Sequence, residues 1–204
     1  MGKIIGTISE AELEDLYLDR NLSMQQIADV LHCSLNKVNY WMLKHDIPKR
    51  SRRDVNYIRR YPNGDPFCFK KPTTAEEILL YGLGMGLFWG EGNKADKNSV
   101  RLGNTDPSLI KAFVSFLVSI YSIDPKHLRF GLQIFTDINP DEALAYWKNE
   151  LKVKDSQFYK ITVTISGSIG TYRKKSKYGV VTVYYHNTKL RNLLMSQLAD
   201  IAQG

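Results

Sequence analysis

GLGMGLFWGEG, residues 82–92, decides how this chain is read. Glycine recurs at 82, 86 and 90 inside a run that otherwise has the apolar character of a helix. Each interior glycine weakens a helix by about 1 kcal/mol relative to alanine, so Gly82, Gly84, Gly86 and Gly90 call for a contact that needs missing side chains. The i, i+4, i+8 spacing sets Gly82, Gly86 and Gly90 in one stripe. A second helix can approach such a stripe more closely than ordinary ridge-and-groove packing allows. The stripe runs into Glu91, followed by Gly92. A carboxylate there faces the negative end of the helix macrodipole, and a symmetric partner would add a second carboxylate. A divalent cation between the two would resolve both conflicts.

Two rival readings of these glycines fail on residue identity. A dinucleotide fingerprint starting at Gly84 needs glycine or alanine at 89, where Trp89 stands, and it should follow a strand rather than a capped helix. A phosphate loop needs Gly-Lys-Ser or Gly-Lys-Thr, which the GNK of residues 92–94 does not supply. An intramolecular helix pair without chemistry stays open as an alternative.

The rest of the chain narrows the setting. Its 204 residues suffice for one sizeable core and a small accessory domain. No apolar run reaches the length of a membrane span, and residues 1–8 are too short for a signal peptide. Cys33 and Cys68 make no disulfide framework, and the four histidines show no zinc-ligand spacing. The expected setting is therefore the reducing cytoplasm, with no membrane partner. The net charge of +7 is concentrated: residues 37–71 carry ten basic and three acidic side chains, against two basic and six acidic in residues 1–36. Such a patch suits phosphate contacts, although a solvated linker would show the same excess.

Residues 1–46 read as a small all-α domain. Ser9 with Glu12 and Ser23 with Gln26 have the spacing of capping boxes. Two helices follow from them, and a third holds Leu35, Val38, Trp41, Met42 and Leu43 after the turn His32-Cys33-Ser34. The pattern resembles the helix-turn-helix of many repressors and resolvases. His32 stands where the turn usually has glycine, and histidine is among the residues that tolerate left-handed backbone. The resemblance puts Ser34, Asn36, Lys37, Asn39, Tyr40 and Lys44 on the outer face of a recognition helix. Residues 47–73, broken by Pro48, Pro62, Gly64, Pro66 and Pro72, read as a basic linker or arm. Its Lys49, Arg50, Arg52 and Arg53 are candidates for backbone or minor-groove contacts with DNA.

Residues 74–204 read as an α+β domain. A helix over about 74–90, capped by Thr74 with Glu77, is followed by strands over 99–103, 128–135, 158–165 and 180–185, with helices between and a closing helix to Ile201. The strands are too short and irregular for a doubly wound sheet, so helices are expected on one face of an antiparallel sheet. Trp147 and Phe158 fall on core spacings. Tyr184, Tyr185 and His186 at a strand end fit a structural or a DNA-facing role equally. Arg101 on the first strand, and Arg173, Lys174, Lys175 and Lys177 in the loop SGSIGTYRKKSKYG, are further DNA-binding candidates.

Gly84, Met85, Gly86, Leu87, Phe88, Trp89, Gly90, Glu91 and Gly92 lie on the nine positions of the LAGLIDADG signature, and residues 74–201 resemble the single-motif LAGLIDADG homing endonucleases. Glu91 takes the acidic position; Trp89 stands where aspartate is usual, and Gly84 replaces a leucine. The resemblance implies a homodimer joined through Gly82, Gly86 and Gly90, acting on a partly palindromic duplex. It implies Glu91, with the Gly90 carbonyl, as ligand to Mg²⁺ or Mn²⁺, and hydrolysis of a phosphodiester, with Lys94 and Lys160 as the assisting lysines. The alternative is a non-catalytic helix-turn-helix transcription regulator on the same scaffold, which Trp89 favours and Glu91 opposes.

Overall fold

The computed structural model of the chain describes residues 6–165 and 176–203. It divides into two compact units, Met1–Asp65 and Pro66–Gly204.

In the first unit, α1 (Glu10–Glu14) starts where the Ser9 hydroxyl accepts the Glu12 N–H. It runs on through a π-helical turn, Asp15–Asp19, and Asn21 then takes a left-handed φ of 56°. Helix α2 (Met24–Val30) has the full capping box, with Ser23 and Gln26 each satisfying the other's backbone. His32, at φ 47°, makes the turn into α3 (Leu35–Lys44). Leu13, Leu16, Tyr17, Ile27, Ala28, Val38, Trp41 and Met42 form the core, with Ile8 and Ile47 joining it from either side of the three helices.

Beyond Ile47 the structure departs from the expected linker in two ways. Ser51 caps a further helix, α4 (Arg52–Arg60), which lies between Pro48 and Pro62. The prolines that suggest an irregular segment bound a helix instead. Residues 66–70, in turn, join the second unit: the Cys68 and Lys70 N–H groups donate to the Tyr121 and Ile120 carbonyls at 2.9 and 2.8 Å, and Phe67 and Phe69 pack against its core. The division therefore falls at 65/66 rather than at 73/74.

The second unit opens with α5 (Ala75–Glu91), whose Thr74–Glu77 capping box is complete. Helices α6 (Pro107–Tyr121), α7 (Pro140–Leu151) and α8 (Thr188–Gln203) follow, led by Asp106, Asn139 and the buried Asn187. Strands β1 (Val100–Asn104), β2 (Arg129–Phe135), β3 (Thr162–Thr164) and β4 (Val180–Tyr185) form one sheet in the order β1-β4-β2-β3. β4 is antiparallel to both β1 and β2, but β2 and β3 are parallel, so the sheet is mixed and not antiparallel throughout. A parallel pair needs a long crossover, and the segment carrying α7 between β2 and β3 supplies it. Strand β2 also separates β3 from β4, so the loop joining them does not close a hairpin.

Burial alternates along the strands with period two. Val100 and Leu102, Phe130, Leu132 and Ile134, and Val181, Val183 and Tyr185 all face one core. There they meet Met85 and Phe88 of α5, Phe113 and Phe116 of α6, Trp147 of α7, and Leu190 and Leu194 of α8. The unit is thus α+β with its helices over one sheet face, and the other face carries Arg101, Arg129, Gln133, Thr182 and Tyr184. No described helix is long and apolar enough to cross a membrane.

Candidate nucleic-acid interface and carboxylate site

Helix α3 buries Val38, Trp41 and Met42 and turns the rest of its surface outward. Ser34, Leu35, Asn36, Tyr40, Leu43 and Lys44 are exposed, while Lys37 and Asn39 are half-buried. The Ser34 hydroxyl accepts the Lys37 N–H at 3.2 Å, so it serves as the helix cap. Lys44 holds its ammonium 4.6 Å from the Trp41 ring, and Tyr40 meets that ring edge-on at 5.4 Å. Asn39 differs from the others, because its side-chain oxygen is buried without a hydrogen-bond partner among the described residues. Asn36, Tyr40 and Lys44 are the polar groups this helix offers most openly.

Of the basic residues after α3, Arg50 has another role than the one expected. Its guanidinium lies 4.0 Å from the Tyr17 ring and donates to the Leu22 carbonyl at 3.0 Å and to Asn21 Oδ1 at 3.2 Å. Its backbone N–H donates to the Tyr17 hydroxyl at 2.8 Å. Arg50 thus ties the chain leaving α3 to the end of the first helix, which leaves little of it for DNA. Lys49 is exposed, and Arg52 and Arg53 lie in the first turn of α4.

The glycines of α5 separate into two kinds. A Cβ on Gly84 would collide with the Phe116 ring, and one on Gly92 with the Phe88 carbonyl and ring. These two permit packing within the chain. Gly82, Gly86 and Gly90 have nothing within 4 Å of where a Cβ would stand. Exposed Ile78, Leu79, Leu83 and Trp89 flank them. At about 100° per residue, positions 78, 79, 82, 83, 86, 89 and 90 share roughly 140° of the helix circumference, whereas Met85 and Phe88 lie outside that arc. Helix α5 therefore packs on α6 with one face and presents a second, apolar and glycine-lined, that nothing described within its own unit covers.

Glu91 ends α5 and is exposed. It lies about 100° round the helix from Gly90, so it flanks the glycine stripe rather than continuing it. Lys94 is brought to the same helix end: its ammonium donates to the Trp89 carbonyl at 2.5 Å and to the Gly92 carbonyl at 3.1 Å. That cation answers the negative end of the macrodipole, which the sequence reading left to a metal. The Gly90 carbonyl belongs to the final turn, whose last four carbonyls have no partner in the helix's own ladder.

The loop after Glu91 is braced from several sides. The Asn93 N–H donates to the Arg101 carbonyl at 3.0 Å, and Gly92 bridges to Leu102. Arg191 of α8 donates to the Lys94 and Asp96 carbonyls at 2.7 and 3.2 Å. Asp96 accepts the Asn98 N–H at 2.7 Å and the Ser99 hydroxyl at 2.8 Å, and pairs with Arg101. The Asn98 hydrogen bond first, then Ser99 and the Arg101 charge, hold the Asp96 carboxyl below the usual aspartate range. Neither Arg191 nor Asp96 stands out in the sequence, because each acts through partners distant along the chain or through a local turn.

On the outer sheet face, register aligns Arg101 and Arg129 on either side of Tyr184. Arg101 is committed there: it pairs with Asp96, donates to the Ser99 hydroxyl at 2.7 Å, and lies 5.1 Å from the Tyr184 ring. His186 stacks on Tyr184 at 5.9 Å and its Nε2 lies 2.7 Å from the Tyr159 hydroxyl. Tyr185, by contrast, is buried and donates to the Pro66 carbonyl. The strand pair thus divides, with Tyr184 and His186 outward and Tyr185 structural. Arg129 is missed by motif reading, although its alternation with Gly131 and Gln133 marks an outward position.

Lys160 is not brought to Glu91. It follows Tyr159, whose N–H bonds to Phe130 beside β2, while Gly92 pairs beside β1. Four strand spacings separate the two segments, roughly 20 Å. Lys177 holds its ammonium 5.1 Å from the Tyr178 ring, which stacks on Tyr146 of α7. Arg173, Lys174 and Lys175 lie outside the described residues. Among those described, no three His, Cys, Asp or Glu side chains gather as a metal-binding group. Comparison with protein-family models, with curated proteins and with solved structures finds no match to the chain.

Proposed function

We propose that this protein is a homodimeric, site-specific DNA-binding protein of LAGLIDADG type that cleaves duplex DNA with a divalent metal. One observation carries the reading: Gly82, Gly86 and Gly90 leave a clear apolar stripe along α5 while Gly84 alone serves the packing on α6. The three open glycines each weaken the helix by about 1 kcal/mol and gain nothing inside one protomer. A second α5 laid along the stripe uses all three and buries Leu79, Leu83 and Trp89. With the two helices parallel, it also brings two Glu91 carboxylates to one end of the seam.

Each protomer then offers one exposed carboxylate and the Gly90 carbonyl. That donor set suits Mg²⁺ or Mn²⁺, which bind through one or two carboxylates together with water and substrate phosphate oxygens. The metal supplies Lewis-acid activation of water and of the scissile phosphate. Lys94, already at the same helix end, offers a cation to a phosphodiester approaching Glu91. The outward groups of α3, led by Asn36, Tyr40 and Lys44, suit base edges and phosphates of the major groove. The experiment is cleavage of duplex DNA from around the native gene in Mg²⁺, wild type against Glu91→Gln. Loss of cutting with binding retained supports the enzyme, and cutting that survives the substitution rejects this site.

The second reading is a regulator on the same dimeric scaffold. The Lys94 ammonium at the helix end favours it, since α5 already has a cation opposite its dipole without a metal. Tight, specific binding with no cutting in Mg²⁺ or Mn²⁺ selects the regulator.

A further inference from the structure

Helix α4 has no buried residue, yet its sequence, RRDVNYIRR, is strongly patterned. At about 100° per residue, Arg52, Arg53, Asn56, Arg59 and Arg60 fall within roughly 120° of its circumference. Asp54, the helix's one acid, lies on the opposite side and accepts from the Ser51 hydroxyl at 2.6 Å. Arg52, Arg59 and Arg60 form no ion pair among the described residues. Arg52, Arg59 and Arg60 are like charges on one face and repel, and Arg52 sits in the first turn, against the positive end of the macrodipole. A nine-residue helix without tertiary burial is marginal in water even before that repulsion.

What such a helix lacks is a polyanion. Resting on the DNA-binding reading above, we propose that α4 is a backbone clamp whose arginine face lies along duplex phosphates and whose helix is ordered by them. Guanidinium groups spread over two and a half turns engage successive phosphate oxygens without reading bases. Binding relieves the repulsion and releases counterions, so α4 contributes affinity and salt dependence but no sequence preference. A lipid surface fits less well, because the opposite face offers only Val55, Tyr57 and Ile58 beside the charged Asp54.

The test uses the full chain with Arg59 and Arg60 both changed to Ala, which favours helix and removes no buried contact. Binding to several unrelated duplexes is followed against salt, and amide exchange over residues 52–60 is followed with and without DNA. The double variant should bind every duplex about tenfold or more weakly at physiological salt, with the slope of log affinity against log salt reduced by about 2. Exchange over α4 in the wild type should slow on adding DNA. An unchanged slope, a loss confined to one sequence, or exchange unaffected by DNA overturns the clamp while leaving the DNA-binding reading standing. Failure of the wild type to bind any duplex overturns both, and α4-dependent binding to phosphatidylserine vesicles instead of DNA assigns the face to a membrane.

Discussion

Arg50 shows how a basic residue in a basic stretch can belong to the fold instead of a ligand. Its guanidinium joins Tyr17, Asn21 and Leu22, all in the first half of its unit. Hydrogen bonds from a charged donor contribute about 1.5–3 kcal/mol when partly shielded. Arg50→Ala should therefore destabilise the N-terminal unit by about 1–3 kcal/mol, read as an earlier transition in denaturant. An equal fall in DNA affinity with unchanged stability would return Arg50 to the interface. Asp96 makes a second prediction at this scale. Its carboxyl is held below the usual range, so its stabilisation of the loop after Glu91 is fully present above the ordinary aspartate pKa. That stabilisation is lost as pH falls through the depressed value. Protection of the Asn98 amide, measured against its intrinsic exchange rate, should fall in acid before the core loosens, and Asp96→Asn should remove that pH-dependent change in protection.

Helix α5 allows a comparison between two glycines two residues apart. Gly84→Ala pushes a methyl into the Phe116 ring, and overpacking of this kind costs about 1–3 kcal/mol. Gly86→Ala meets open space, so the isolated fold should gain about 0.5–1 kcal/mol from helix propensity. If α5 is the dimer seam, the same methyl weakens self-association, and sedimentation should show the dissociation constant rising as unfolding stability rises. Both variants destabilising the monomer would mean that the stripe is covered within the chain. Such distinctions were only half legible in the sequence. Helix starts were readable, because Ser23 with Gln26 and Thr74 with Glu77 announce caps by local spacing alone. The two roles of the glycines were not, since spacing reveals a stripe but not which face meets Phe116. Helix α4 was hidden by its flanking prolines, and the parallel β2–β3 pair by the absence of any local mark of strand order. The distance of Lys160 from Glu91 depends on that same sheet order, whereas the Arg101 pairing with Asp96 is made by a local turn that no spacing rule announces.

At the scale of the whole molecule, the proposed function makes each chain, with its one open glycine stripe and one outward-facing α3, half of a DNA-binding dimer. A dimer would hold two N-terminal units on one duplex, and the second unit would then bind at the effective concentration set by the first. Linkage of this kind raises affinity by about 10²–10⁴ when both half-sites are engaged. Gly86→Leu fills the stripe with a branched side chain while leaving α3 and α4 untouched. The variant should sediment as monomer and bind a single half-site as well as wild type does. On the full, partly palindromic site it should lose about 10²-fold or more, because only the linkage has gone. The stoichiometry on that site should move from two chains bound together to two bound independently, read by titration at fixed duplex. Wild type that remains monomeric at high concentration, with one chain per duplex and no change on Gly86→Leu, would leave the three open glycines without a use and would remove the dimer from the proposal.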